Sequence, residues 1–219
     1  MDTTELEQAF RAEVRDLVQP YLWLQPEVLA YANDAQNALC RLGGGIADAT
    51  SDITRVEFAP GDQYVDISPK LLKIRAVHLE STGENLRIMN PEDYYMRDHV
   101  RRLGNLQPGP VRAVVTGMTA NKLMLVDIPI EADALRLVVY RMPLVPLTET
   151  FQDIEVDEHH HRPMLMWMKH LAHMKQDAET YDRGRSEQYG ADFRAYCDQV
   201  KREREMSEHK QRTVAYGGY

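Results

Sequence analysis

The chain has 219 residues, of which 43% are hydrophobic and 27% are charged, the balance of an ordinary soluble globular protein. The formal net charge of −8 at pH 7 argues against a protein that grips a nucleic-acid backbone over a broad surface, because such a protein carries an excess of Lys and Arg. The only two cysteines, Cys40 and Cys197, indicate no disulfide framework, and each is expected to be a buried thiol. No apolar run approaches the roughly 20 residues that span a bilayer, and the acidic N-terminus lacks a signal-peptide core.

The first predicted element is a helix near the N-terminus. Thr3 or Thr4 is expected to cap it, with Glu7 completing a capping box after Thr4. Apolar residues at helical spacing continue to Val18, and Pro20 ends the pattern.

A second helix is predicted to open at Gln25-Pro26-Glu27 and to stop at Gly43-Gly44-Gly45. It contains three polar side chains, Asn33, Asp34 and Gln36. We expect these side chains to face solvent; the alternative is that they bond to a neighbouring segment.

The middle of the chain, from Ile53 to Arg141, changes to short, β-branched segments with turn residues between them. About seven strands are predicted, enough for a small sandwich or barrel-like sheet. Two hairpins are predicted around 59–62 and 81–83, and another strand pair around 118–121. A short helix is predicted after Asn90, closed by Gly104.

The most apolar helix is predicted within Ile154 to Asp182, with Pro163 in its first turn. Its apolar arc is wide, which favours a helix packed on two sides. The arc comprises Met164, Trp167, Leu171, Met174, Ala178 and Tyr181.

A fourth helix is predicted after the break at 182–184, and no apolar periodicity is visible from Met206 onward. The predicted fold class is therefore α+β: a helical bundle from both termini (1–50 and 147–205), an inserted antiparallel β domain (51–146), and an extended tail (206–219). The tail cannot fold alone, which favours docking on a partner. The expected bundle core comprises Trp23, Leu39, Met164, Trp167, Leu171 and Phe193.

Two histidine groups are candidate metal or catalytic sites. His159, His160 and His161 lie near acidic residues, but consecutive residues do not converge, so we expect a polar, partly exposed start to the helix. His170, His173 and Asp177 share a helix face and could form a metal site or a His–carboxylate pair. The sequence contains no HExxH, GxSxG or paired CxxC motif. We therefore predict no catalytic residue, no metal site and no cofactor; a metal-dependent hydrolase is the alternative.

The chain resembles the head-to-tail adaptor (connector) proteins of tailed bacteriophages, through the order and spacing of its motifs up to about residue 200. The N-terminal motif is Trp23, Leu29, Tyr31, Asn33–Gln36 and Cys40-Arg41. The middle motif is Ile67, Leu71-Leu72, Ile74, Val77 and Leu135–Pro143. The C-terminal motif is Ile154, Leu165, Trp167, Lys175–Asp182 and Phe193.

The resemblance implies a virion structural protein at the head–tail junction, assembled in the cytoplasm of the host bacterium. It implies a ring of twelve copies beneath the portal protein, contact with a downstream tail or nozzle protein, and passage of genomic DNA without sequence-specific binding or membrane contact. A C-terminal segment would lie along the portal, with Lys210, Arg212, Val214, Tyr216 and Tyr219 as its expected contacts. A tail-completion or stopper protein at the same junction is the alternative.

Overall fold

The computed structural model describes residues 1–98, 107–177 and 179–208. The chain divides into two compact units, one containing Met1–Gly45 and the chain from Pro143 onward, the other Ile46–Met142. The first is helical and the second is built mainly of strands. The predicted α+β fold class, with helices from both termini and an inserted β region, is confirmed.

The helical unit contains four α-helices among the described residues. They are α1 (Thr3–Val14), α2 (Gln25–Gly43), α4 (His161–Met174) and α5 (Arg183–Glu208). α4 packs against α5, α2 and α1, so the most apolar helix contacts all three of the others.

The cap of α1 differs from the prediction. Asp2, not Thr3 or Thr4, is the N-cap: its carboxylate accepts the Glu5 N–H at 2.8 Å, and the Glu5 carboxylate accepts the Asp2 N–H at 3.2 Å. Thr3 is instead buried, and its hydroxyl donates to the Glu149 carbonyl at 2.9 Å. The capping box therefore lies one residue before a box at Thr3 and two before a box at Thr4, and it satisfies the N–H groups of Glu5 and Asp2.

α1 also ends earlier than predicted. Arg15 adopts the left-handed conformation with φ 60° and closes the helix. Leu17 and Val18 therefore lie outside it and are 67% and 79% exposed. The chain turns because the buried Asp16 carboxylate accepts the Leu22 N–H at 3.0 Å and an Arg11 N–H at 2.8 Å. These hydrogen bonds outweigh the helical spacing of Leu17 and Val18.

The expected bundle core is mostly buried. Trp23, Leu39, Met164 and Phe193 are at most 4% exposed, whereas Trp167 and Leu171 are half-buried. Trp167 remains in contact with Phe193, their ring centroids 5.1 Å apart. Both cysteines are buried and form no disulfide, as predicted.

The predicted extension of α4 to Tyr181 is wrong. The helix ends at Met174, where Lys175 takes φ −58° and ψ 120°. Met174 and Tyr181 are 53% and 54% exposed, and Ala178 lies outside the described residues. The chain is tied back by the Asp182 N–H, which donates to the His173 carbonyl at 3.1 Å.

The β unit contains ten strands among the described residues. They are β1 (Ile46–Asp48), β2 (Arg55–Phe58), β3 (Tyr64–Asp66), β4 (Leu71–Leu79), β5 (Asn85–Met89), β6 (Pro108–Gly109), β7 (Ala113–Thr119), β8 (Lys122–Val126), β9 (Ile128–Pro129) and β10 (Asp133–Arg141). Eight form one sheet in the order β1-β10-β4-β5-β7-β8-β3, with β2 also pairing with β10, while β6 and β9 pair separately. The pairings are antiparallel except β5–β7 and β6–β9.

The hairpin predicted around 59–62 is wrong. β2 pairs with β10 and β3 pairs with β8, so the two strands leave the turn towards different neighbours. The hairpins β4–β5 and β7–β8 are confirmed. The short helix after Asn90 is α3 (Pro91–Asp98), and its predicted end at Gly104 lies outside the described residues.

An ion pair in the β unit joins its first strand to its last. Asp48 of β1 accepts hydrogen bonds from the Arg141 guanidinium, the Thr50 N–H at 2.9 Å and the Ser51 hydroxyl at 2.5 Å. Burial alone raises the pKa of Asp48, but the hydrogen bonds from Ser51, Thr50 and Arg141 outweigh it and hold that pKa well below the usual range.

Candidate functional site

The histidine-rich segment before α4 lies on a short 3-10 turn, Glu158–His160, whose first bond runs from the His160 N–H to the Asp157 carbonyl at 2.9 Å. His159 is exposed, but His160 and His161 are only 7% and 4% exposed. The prediction of a polar, partly exposed helix start is therefore wrong for two of the three histidines. Their burial depends on α5 and the chain before the turn, which local sequence does not reveal.

His160 connects this turn to α5. Its Nδ1 lies 2.7 Å from the Tyr196 hydroxyl, and its ring centroid is 3.9 Å from that of His159. Burial, followed by the charge of His159, lowers the pKa of His160 to about 4. The imidazole is therefore neutral at neutral pH.

His161 ties the start of α4 to the preceding chain. Its Nε2–H donates to the Val156 carbonyl at 2.8 Å, while its buried Nδ1 has no hydrogen-bond partner among the described residues. Burial lowers the pKa of His161. This side chain acts as a structural connection between two segments of the helical unit.

The turn also brings together three metal-ligating groups. One donor atom each from Asp157, His159 and His160 lies within 4.8 Å of the others. Asp157 and His159 are exposed and His160 is buried. From sequence, consecutive histidines were not expected to converge; the tight turn makes convergence possible.

His170, His173 and Asp177 do not form a common site. His170 Nδ1–H donates to the Ser186 carbonyl at 2.9 Å, and the His173 ring stacks on Tyr189 at 5.9 Å. Asp177 lies beyond the end of α4, where its carboxylate accepts the Glu179 N–H at 3.5 Å. The two histidines hold α4 against α5, an arrangement that suits packing and not catalysis.

Of the three polar residues of α2, Asn33 takes the alternative that the sequence disfavoured and bonds a neighbouring segment. Asn33 holds the backbone of Leu147 by two hydrogen bonds, its Nδ2 to the carbonyl at 2.5 Å and its Oδ1 from the N–H at 2.7 Å. Gln36 is 1% exposed and donates to Asn33 Oδ1 at 3.2 Å. Asp34 is exposed, as expected. Asn33 thus connects the two sequence-distant parts of the helical unit.

The C-terminal helix is longer than predicted. α5 continues to Glu208, so residues 206–208, predicted to belong to an extended tail, are helical. Val200 is the last of its buried apolar residues, and Arg204 Nη1 donates to the Gly45 carbonyl at 2.6 Å. The expected portal contacts Lys210, Arg212, Val214, Tyr216 and Tyr219 lie outside the described residues.

A comparison with protein families supplies the identification. A family model described as SU10 adaptor protein matches residues 1–215. The chain belongs to the SU10 adaptor protein family. Membership assigns it an adaptor role as a structural protein of the bacteriophage virion, in agreement with the resemblance found in the sequence.

A search of curated proteins found no match. In the part of the chain that the structure describes, no helix is long and apolar enough to cross a membrane. The adaptor assignment rests on the family match, which covers residues 1–215.

Proposed function

We propose that this SU10-family adaptor joins the capsid to the tail as a ring of twelve copies beneath the portal protein. The single observation that carries the proposal is the family match over residues 1–215. In this role the protein contacts the portal on one side and a downstream tail or nozzle protein on the other. It is a structural component without a catalytic site.

The domain assignment belongs to this proposal. We assign the helical bundle to 1–50 and 147–205, the inserted β domain to 51–146 and the docking segment to 206–219. The compact units move the boundaries of the β domain to Ile46 and Met142, because β1 pairs with β10. The first three residues of the docking segment continue α5. Two hydrogen bonds between the start of the chain and the segment after the β region support this assignment. The Thr3 N–H donates to the Gln152 carbonyl, and the Gln152 N–H donates to the Thr3 hydroxyl, both at 3.0 Å. These contacts keep the N-terminal helix with the later helices while the β region lies between them in sequence.

The end of α5 supports a docking role for the residues that follow. Residues 201–207 are exposed except for the half-buried Arg204, so the helix leaves the buried core before it ends. A polar segment beyond a core-anchored helix is well placed to order on a partner. We assign portal contact to Lys210, Arg212, Val214, Tyr216 and Tyr219.

Passage of genomic DNA through the ring is compatible with the charge of the protein. The formal net charge is −8, and a negative channel does not hold phosphates tightly. DNA is therefore expected to move through the ring during packaging and ejection without sequence-specific binding.

The test mixes purified portal protein with the full chain or with a chain ending at Glu208. Electron micrographs and sedimentation should show a ring of twelve copies on the portal with the full chain, and none with the shortened chain. A matched full-length variant with Val214, Tyr216 and Tyr219 changed to Ser separates side-chain contacts from tail length. Unchanged tryptophan fluorescence and circular dichroism would establish that both variants remain folded.

Two results would contradict parts of the proposal. Undiminished portal binding by the folded, shortened chain would remove the docking role of the tail. Binding to the purified tail component but not to the portal would instead indicate a tail-completion or stopper protein at the same junction.

A further inference from the structure

We propose that Asp157, His159 and His160 bind one divalent transition-metal ion of the zinc class. The proposal does not depend on ring formation or portal binding. In the turn before α4, one donor atom from each of the three side chains lies within 4.8 Å of the others. One carboxylate oxygen and two imidazole nitrogens are a donor set that zinc accepts, with water in the fourth position.

The ring of the inner ligand, His160, is held by Tyr196 of α5. Its Nδ1 lies 2.7 Å from the Tyr196 hydroxyl. When Nδ1–H donates to that oxygen, the lone pair of Nε2 is left for the ion. A metal-ligating histidine commonly has its other ring nitrogen held in this way, which fixes both the tautomer and the ring orientation.

The two outer ligands can adjust to the ion. In a tetrahedral site with metal–ligand bonds of about 2.1 Å, donor atoms lie roughly 3.4 Å apart. Asp157 and His159 are exposed, so their side chains can rotate inward without disturbing the core. His159 already lies beside His160, with ring centroids 3.9 Å apart.

Two charges near the site act in opposite directions on a bound cation. The Arg204 guanidinium acts on His160 from α5, and it opposes a second positive charge nearby. The Asp157 carboxylate offsets it and supplies the anionic ligand. Glu158 is directed elsewhere, its Oε1 lying 3.7 Å from the N-terminal amine of Met1.

A bound ion would fasten the start of α4 more firmly to α5. It would hold the turn through Asp157 and His159, and it would hold α5 through His160 and the Tyr196 hydroxyl. Because an ion that binds only the folded state shifts the folding equilibrium, zinc should raise the temperature of unfolding.

The test titrates Zn²⁺ into the full chain by isothermal calorimetry, in a buffer without chelating groups, and repeats thermal unfolding with and without zinc. We expect one saturable site per chain and a higher unfolding temperature. His159→Ala should weaken binding at least tenfold and reduce the thermal shift, because it removes one ligand. The variant should fold, because the His159 ring is exposed. Tyr196→Phe should weaken binding less, since Tyr196 only positions a ligand.

His78→Ala is the matched control, because it removes an imidazole from the β unit, away from the proposed site. Its zinc affinity should equal that of the unchanged chain. The proposal is overturned if the unchanged chain shows no saturable binding, or if His159→Ala binds zinc as tightly as the unchanged chain does.

Discussion

The imidazole of His160 and the phenol of Tyr196 lie 2.7 Å apart, Nδ1 to Oη. This pair joins the turn before α4 to the middle of α5, across 36 residues of sequence. The pair is partly buried, so an imidazole nitrogen left without Tyr196 would have neither a protein partner nor full contact with water. The hydrogen bond therefore stabilises the helical unit.

Tyr196→Phe should lower the free energy of unfolding by about 1 kcal/mol, because the phenol hydroxyl is removed while the ring remains. Both tryptophans, Trp23 and Trp167, belong to the helical unit. Urea unfolding followed by tryptophan fluorescence therefore reports this unit. Tyr189→Phe is the control, because Tyr189 contacts His173 through its ring and the variant keeps that ring. This substitution should change the free energy of unfolding by less than about 0.5 kcal/mol. Equal effects of the two variants would contradict the assignment.

Asn33→Ala should lower the free energy of unfolding by about 2 kcal/mol, because it leaves the N–H and carbonyl of Leu147 without their partner. The same fluorescence experiment measures the loss. Asp34→Ala, on the exposed side of the same helix, should stay within about 0.5 kcal/mol of the unchanged chain. If Asn33→Ala were equally neutral, the side chain would not connect α2 to the chain around Leu147.

Phe193→Ala should cost about 3–5 kcal/mol, because Phe193 is 0% exposed and its removal leaves a cavity beside Trp167. Phe193→Leu, which keeps most of the volume, should cost less and provides a folded variant if the alanine variant does not fold. The measurement is again urea unfolding. Tyr181→Ala is the exposed control, and a loss for Phe193→Leu no larger than for Tyr181→Ala would place Phe193 outside the core.

The β unit should lose stability in acid through Asp48. The folded-state pKa of Asp48 is held below the unfolded value of about 3.8, so the unfolded chain binds more protons as the pH falls. The stabilising contribution is complete above the unfolded pKa and is lost below about pH 4 as the carboxylate is protonated.

Asp48→Asn tests this pH dependence. The variant should be less stable than the unchanged chain at pH 7, and the difference should shrink between pH 4 and pH 2. Scanning calorimetry is the measurement, because the tryptophans do not lie in the β unit. Asp66→Asn, whose side chain is 83% exposed, is the matched control. A stability difference that stayed constant over this pH range would contradict the role of the Asp48 carboxylate.

The β region shows which strand contacts local sequence can predict. The hairpins β4–β5 and β7–β8 follow from turn residues between adjacent strands, because a short loop leaves the second strand little choice of partner. The turn at 59–62 carries the same signal, yet β2 pairs with β10 and β3 with β8. Burial of β2 and β3 against those distant strands outweighed the local preference.

The histidines and the polar residues of α2 also show what local sequence can and cannot predict. Helical spacing identified the helices, and it placed His170 and His173 on one face. It could not tell that His160 would be buried against Tyr196, or that Asn33 would meet Leu147, because these contacts join residues far apart in sequence. A polar side chain at a helical position carries no sign of which neighbour will cover it.

The sequence by itself determined the α+β class, the order of the main elements, the buried thiols and the adaptor resemblance that the family match supports. The class, the element order and the buried thiols depend on local spacing, turn residues and composition, which one chain displays directly, whereas the adaptor assignment rests on resemblance to a known family. Only the tertiary structure decided where α1 and α4 end, which strands pair, and which polar side chains are buried. Those outcomes depend on hydrogen bonds and packing between distant segments, where burial of an apolar or polar group overrides the local conformational preference.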